Sequence, residues 1–268
     1  MKYLMRTAFY SVLATLVISP AYSCELIMGY RTNEKPPLIG KAPDNNGLYF
    51  ELFKTAADRI GCSLAVERKP KKRIMNMIVS GKIDFYPGLK FTKKRAENFG
   101  YINNGLTSSY ALLTRADSAD FKSREDILKA KPTEILPYGS PDLLKLEIPK
   151  KSPKEATTLD IMKLISNGSA DIYFYSKDSL LYALKQNPMP NLRVQECCSK
   201  VEPMYLGFSL NSKNYNKIPN KNYDANQPIS ATNSPVMFSP DSIAKKLSDA
   251  LADMKKEGVT SEIYKKYY

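Results

Sequence analysis

The chain has 268 residues, 40 Lys and Arg against 27 Asp and Glu, a formal charge of +13, and neither His nor Trp. The lack of His excludes His-based catalytic triads and His-ligated metal centres. The four Cys show no CxxC spacing and so no zinc pattern. The basic balance suits an anionic partner, yet the lysines are scattered. Only Lys69 to Arg73 forms a dense basic run, and no nucleic-acid-binding motif accompanies it.

Lys2 and Arg6 precede an apolar run from Ala8 to Ile18. Pro20 breaks it, and Ala21-Tyr22-Ser23 sets small residues at −3 and −1. Residues 1–23 therefore read as a secretory signal peptide, with the mature chain starting at Cys24 outside the cytoplasm, where disulfides can form. Tyr22 fits a lipoprotein signal poorly, so ordinary cleavage is expected rather than a lipid anchor on Cys24. The mature chain keeps a charge of +11 once Lys2 and Arg6 are gone. No later stretch approaches the roughly 20 apolar residues of a membrane span. The remaining length suits two lobes better than one core.

Leu26 to Tyr30 reads as a strand. Leu48, Leu52, Phe53, Ala56 and Ile60 recur at helical spacing, and Gly61 closes that helix. Leu64 to Val66 is the next strand. Ile74, Met75 and Ile78 mark a second helix closed by Gly81, and Ile83 to Tyr86 a third strand. This βαβαβ order predicts a parallel sheet covered by helices. Cys24 and Cys62 each stand just before a predicted strand, and adjacent parallel strands would join them, so 24–62 is the preferred disulfide. Cys197 and Cys198 form a vicinal bridge or stay reduced.

Tyr110 to Thr114 is a strand leading into a second region. Ser123-Arg124-Glu125-Asp126 and Ser152-Pro153-Lys154-Glu155 look like helix N-terminal capping boxes. The second opens a helix bearing Leu159, Met162, Leu164 and Ile165, ended by Asn167-Gly168. Asp171 to Phe174 then repeats the helix–Gly–strand pattern of Ile78 to Phe85, which implies two similar lobes. Met204 to Ser209 is another strand, and 211–238 is an Asn-rich loop of unknown role. Ser239-Pro240-Asp241 caps a final helix carrying Ile243, Leu247, Leu251 and Met254, stopped by Gly258.

Several short stretches, in this order and spacing, make a pattern. They are Gly29-Tyr30 with Pro36-Pro37-Leu38 and Gly47 to Leu52, then Pro70-Lys71-Lys72-Arg73 with Ser80 to Asp84. Thr92-Lys93-Lys94-Arg95 follows, and last Glu257-Gly258-Val259-Thr260 with Ile263 and Lys266-Tyr267. The chain resembles the bacterial extracellular solute-binding proteins of family 3, periplasmic receptors typified by polar amino-acid binders. The resemblance implies an α/β, two-lobed periplasmic-binding-protein-like fold. Each lobe would be a mostly parallel sheet flanked by helices, with two hinge crossings between them. Lobe 1 would be 24–111 plus 207–268 and lobe 2 would be 112–206.

It also implies a ligand trapped between the lobes. Arg95 stands where family members grip the ligand carboxylate, and a guanidinium fork offers it two parallel donors. Arg73 opens the preceding helix and is a second candidate. Gly88 and Lys90 fall at positions the family gives to small or hydroxyl residues, and Tyr30 would cover the ligand's apolar part. Ser140, at the family's "GT" position, would cap a helix and donate to an anion. The main departure is Ser176, where amino-acid receptors carry the Asp that holds the ligand ammonium. Asp178 is near but out of register. A buried ammonium would lack its partner, so an anionic or carboxylate-bearing solute is expected.

Three function classes follow: a non-enzymatic receptor for an ABC permease or sensor, an enzyme related to cyclohexadienyl dehydratase, or an interaction module that has lost its ligand. The receptor leads, as a monomer with no cofactor, no metal and no nucleic-acid partner. The enzyme needs an acid in the cleft, for which Glu34, Glu51 and Asp178 are available.

Overall fold

A computed structural model describes residues 23–138, 140, 142–154 and 156–268. The expected signal segment, apart from Ser23, lies outside the described residues, as do Gly139 and Glu155.

The first lobe opens with β1 (Cys24–Arg31), α1 (Leu48–Arg59), β2 (Cys62–Lys69), α2 (Lys71–Val79), β3 (Phe85–Tyr86), α3 (Lys93–Ala96) and β4 (Phe99–Ser108). The second lobe comprises β5 (Tyr110–Arg115), α4 (Arg124–Ala130), β6 (Glu134–Ile135), β7 (Lys150–Lys151), α5 (Thr158–Ser166), β8 (Ile172–Ser176), α6 (Lys177–Gln186) and β9 (Leu192–Gln195). The chain returns through β10 (Glu202–Ser209) and a hairpin of β11 (Lys217–Pro219) and β12 (Val236–Phe238). It then forms α7 (Ile243–Lys256) and α8 (Val259–Tyr267).

Each lobe holds a five-stranded sheet, ordered β2-β1-β3-β10-β4 in the first and β7-β6-β8-β5-β9 in the second. β10 runs against its neighbours in one and β5 in the other. The expected boundaries at 111 and 206 fall inside strands: Ala111 pairs with Tyr175 and Leu206 with Ile102. The crossings therefore lie at Ser109 and at residues 196–201.

Apolar periodicity explains the packing. Leu26, Met28 and Tyr30 alternate onto one face of β1 and are fully buried with Leu52, Phe53 and Ala56 of α1 and Leu247, Leu251 and Met254 of α7. The second face of the same sheet covers Ile74, Ile78 and Ile83. In the second lobe Ile161, Met162 and Ile165 of α5 pack on Leu113 and Tyr173. Cys24 and Cys62 lie opposite each other in parallel register and form the expected disulfide, their Cα atoms 4.5 Å apart. The alternatives left open for Cys197 and Cys198 resolve as a vicinal bridge inside the second crossing.

Helix starts correct two expectations. Ser123 and Asp126 do form a reciprocal capping box on α4. The next box is not Ser152 with Glu155 but Thr157 with Asp160, so α5 begins about five residues later. Thr157 and Asp160 satisfy two backbone N–H groups reciprocally. On α7 the capping side chain is Ser242, which accepts from the Lys245 N–H at 3.1 Å. Ser239 instead donates to Asp241 at 2.6 Å. Gly258 does end α7, and then serves as the N-cap of α8.

Candidate functional site

Strand direction makes the site. β4 leaves the first sheet at the carboxyl edge of its parallel strands, and β5, being antiparallel, enters the second sheet at the equivalent edge. β9 and β10 repeat this on the return. The two carboxyl edges thus face one another across the crossings, where open α/β sheets bind ligands. The two crossings are tied where the Tyr110 N–H donates to Ser199 Oγ at 3.0 Å, and the first is anchored to α6 where the Lys177 N–H donates to the Ser109 carbonyl at 3.0 Å.

The first-lobe edge is cationic. Arg31 ends β1, Lys71 is the first residue of α2, Arg95 lies in α3, and Lys35 sits in the loop after β1. Arg95 is half-buried and oriented, because its guanidinium donates to the Lys90 carbonyl at 2.8 Å. The Lys71 ammonium lies 5.7 Å from the centre of the Tyr86 ring at the end of β3. Its pKa is depressed by burial first, then by the charges of Arg95 and Arg31. That of Lys35 is depressed by desolvation first, then by the charges of Lys71 and Arg31, although both lysines are exposed residues at the rim of this edge. Among the described residues none of these four cations makes an ion pair.

Aromatic side chains continue this edge toward the second lobe. Tyr49, at the start of α1, is buried, and a side chain at Gly88 would collide with its hydroxyl. Burial raises the Tyr49 pKa, with the nearby charges of Tyr86 and Asp178 adding to the shift. Asp178, in the first turn of α6, accepts a hydrogen bond from Tyr264 of α8 at 2.7 Å. That contact bridges the lobes. Burial pushes the Asp178 carboxyl up in pKa, and the Tyr264 hydroxyl and Lys177 partly offset it.

The expected residues therefore divide. Arg95, Gly88 and Lys90 lie together on the first-lobe edge. Lys90 contributes its carbonyl to Arg95, and its own side chain is exposed. Arg73 is exposed in the first turn of α2. Ser176 ends β8 and starts α6 without a side-chain cap. Two readings need correction. Tyr30 offers a ligand no surface: it is fully buried, on the α1 side of β1, with Arg68 5.0 Å over its ring. Alternation along the strand assigns it that face. Ser140 is exposed in a loop after β6, and the next element after it is the strand β7 rather than a helix. Its own N–H donates to the Pro137 carbonyl at 2.9 Å.

Arg31, Lys35 and Lys71 were not among the expected site residues; proximity to strand ends was the signal available for the first and last. Of the three candidate acids, Glu34 is exposed. Glu51 is held by Lys266 and by the Tyr267 hydroxyl, the latter at 3.1 Å. Asp178 is held by Tyr264.

Comparison with known proteins defines the class. Residues 26–268 match the family model of bacterial extracellular solute-binding proteins, family 3, and the chain belongs to that family. A search of curated proteins finds no match. Among solved structures, a structural-genomics target from Bacillus subtilis is similar at 17 % identity over 91 % of this chain and 90 % of that one, with a TM-score of 0.68. The L-cystine solute receptor of Neisseria gonorrhoeae, unliganded and open, is similar at 15 % identity over 92 % and 94 %, TM-score 0.68. An ancestral cationic amino acid solute-binding protein is similar at 18 % identity over 91 % and 95 %, TM-score 0.64. At such identities the likeness shows the fold: two α/β lobes.

Proposed function

We propose that this chain is a periplasmic receptor, exported by its N-terminal segment, that captures a small carboxylate-bearing anion between its lobes without chemistry. It would deliver that solute to an ABC permease or a sensor of the inner membrane. The observation that carries this reading is the group Arg31, Lys35, Lys71 and Arg95, cationic and free of ion pairs among the described residues. A ligand carboxylate on the oriented Arg95 fork would gain two charge-assisted hydrogen bonds. Lobe closure about the crossings would then exclude water and shift an open–closed equilibrium.

Neighbours named for L-cystine and cationic amino acids support an amino-acid-like solute as the broadest class. The narrower anionic class rests on Ser176 standing where an ammonium-binding Asp is expected, and on Asp178 giving an oxygen to Tyr264. The receptor reading is preferred to the enzyme because Glu51 and Asp178 are both occupied by partners.

A thermal-shift and calorimetric screen of carboxylates and amino acids tests the reading. One anionic solute should raise the melting temperature saturably. Arg95→Gln should weaken it by about 2 kcal/mol, near thirtyfold, with folding intact. A ligand whose affinity is indifferent to Arg95→Gln removes that residue from the site, and conversion of the ligand during incubation favours the enzyme.

A further inference from the structure

The first turn of α2 reads Lys71-Lys72-Arg73 with no acidic residue. Helix N-termini carry the positive end of the macrodipole, so three cations there oppose it. The arrangement is unfavourable for the empty protein. Arg31 ends β1 opposite Lys69, just before α2, and the charges of Arg95 in α3 and of Arg31 both act on Lys71, so positive charge accumulates at one edge from separate elements. Of the acids nearest in sequence, Glu67 pairs with Lys69, and Glu34 and Glu97 are exposed; none pairs with these cations among the described residues. A single carboxylate would compensate Arg95 and leave Arg31, Lys35 and Lys71 repelling one another.

We propose, resting on the receptor reading, that the solute carries at least two negative charges. One is held by Arg95, and a second by Lys71 with Arg31 and Lys35. Ring faces are at hand for the carbon frame between the charges in half-buried Phe91 and Tyr101, which pack with centroids 5.2 Å apart. A tricarboxylate or a phosphate ester meets the same chemistry, and the probes separate them.

The experiment is calorimetric titration of the exported chain at neutral pH and low salt with butyrate, succinate, tricarballylate and inorganic phosphate. Succinate or tricarballylate should bind about a hundredfold more tightly than butyrate, a difference that shrinks as salt rises. Lys71→Gln should narrow the succinate-to-butyrate ratio by about tenfold, and Lys71→Arg should restore it. Arg95→Gln should weaken every carboxylate. Phosphate outbinding succinate while keeping the Lys71 dependence also supports a multiply charged ligand, of the phosphate-ester kind. If butyrate binds as tightly as succinate and Arg95→Gln weakens both, the receptor reading stands and the two-charge inference falls. If the ratio is unchanged in Lys71→Gln, the second charge is not held there and the inference falls. Saturable binding of an uncharged or cationic solute alone overturns both.

Discussion

The two lobes repeat one device and use it differently. In the first, α2 ends at Val79 just before Gly81, with φ 77°, and Asp84 follows. The Asp84 N–H donates to the Ile27 carbonyl at 2.9 Å, and its carboxylate accepts from the Ile27 N–H at 2.7 Å. In the second, α5 ends before Gly168, with φ 75°, and Asp171 exchanges the same pair of hydrogen bonds with Thr133, at 2.9 and 2.8 Å. The surroundings differ. Asp84 is 6 % exposed and also takes the Ser212 hydroxyl and the Asn214 amide. The Asp171 side chain is 37 % exposed and, among the described residues, adds only Arg115, at 3.1 Å. A shared local motif therefore carries more weight where the returning segment 209–214 covers it.

The largest test of that contrast is truncation of the two carboxylates. Asp84→Ala strands the Ile27 N–H, Ser212 and Asn214 in a buried place and should cost about 3–5 kcal/mol of unfolding free energy. Asp171→Ala should cost about 1–2 kcal/mol, since water reaches its partners. Urea denaturation of each variant measures both. Equal losses would mean that the tail segment contributes nothing to the motif.

The glycines sharpen the same point with a smaller effect. A side chain at Gly81 would meet the Asn211 backbone carbonyl, whereas at Gly168 the nearest atom is the Arg115 guanidinium, 3.8 Å away. Gly168→Ala should lose about 1 kcal/mol, the ordinary cost of positive φ. Gly81→Ala adds a clash that flexible side chains cannot absorb, for about 2–4 kcal/mol. Thermal melts of the pair provide the comparison.

This repeated device was legible in the sequence, because Gly after an apolar helix and Asp before an apolar strand recur at matching spacing. β4 was not. Its Asn103-Asn104-Gly105 reads as a turn, yet the Asn103 side chain accepts from the Gly105 N–H at 2.8 Å and Gly105 takes φ 86° within the strand. The family motif located Arg95 but not its companions. Arg31, Lys35 and Lys71 span 41 positions among unremarkable surface lysines, and only the order β2-β1-β3 makes them neighbours. Tyr30 was misread although the alternation Leu26, Met28, Tyr30 already assigned it to the core.

The last comparison is electrostatic. Aligning the lobes on the Asp device sets Ile27 against Thr133, and so Met28 against Glu134. Met28 pairs with Phe85 and Glu134 with Ile172 in equivalent registers. Met28 is fully buried, and Glu134 is 2 % exposed, with one carboxyl oxygen lacking a partner. Burial first, then the Asp142 charge, pushes the Glu134 carboxyl up to about 7, against the pull of Lys150. Its folded pKa thus exceeds its unfolded value of 4.5. Below the unfolded value both states are protonated and Glu134 adds no pH dependence. Between the two values the unfolded state releases a proton that the folded state keeps, so stability falls as pH rises. Above about 7 the penalty is complete. Glu134→Gln, neutral throughout, should abolish this part of the slope and leave the protein about 3 kcal/mol more stable than the parent at pH 8, relative to the pair at pH 4.5. Melting curves across that range for both proteins decide it, and parallel curves would mean that water or Lys150 neutralises the buried carboxylate at every pH.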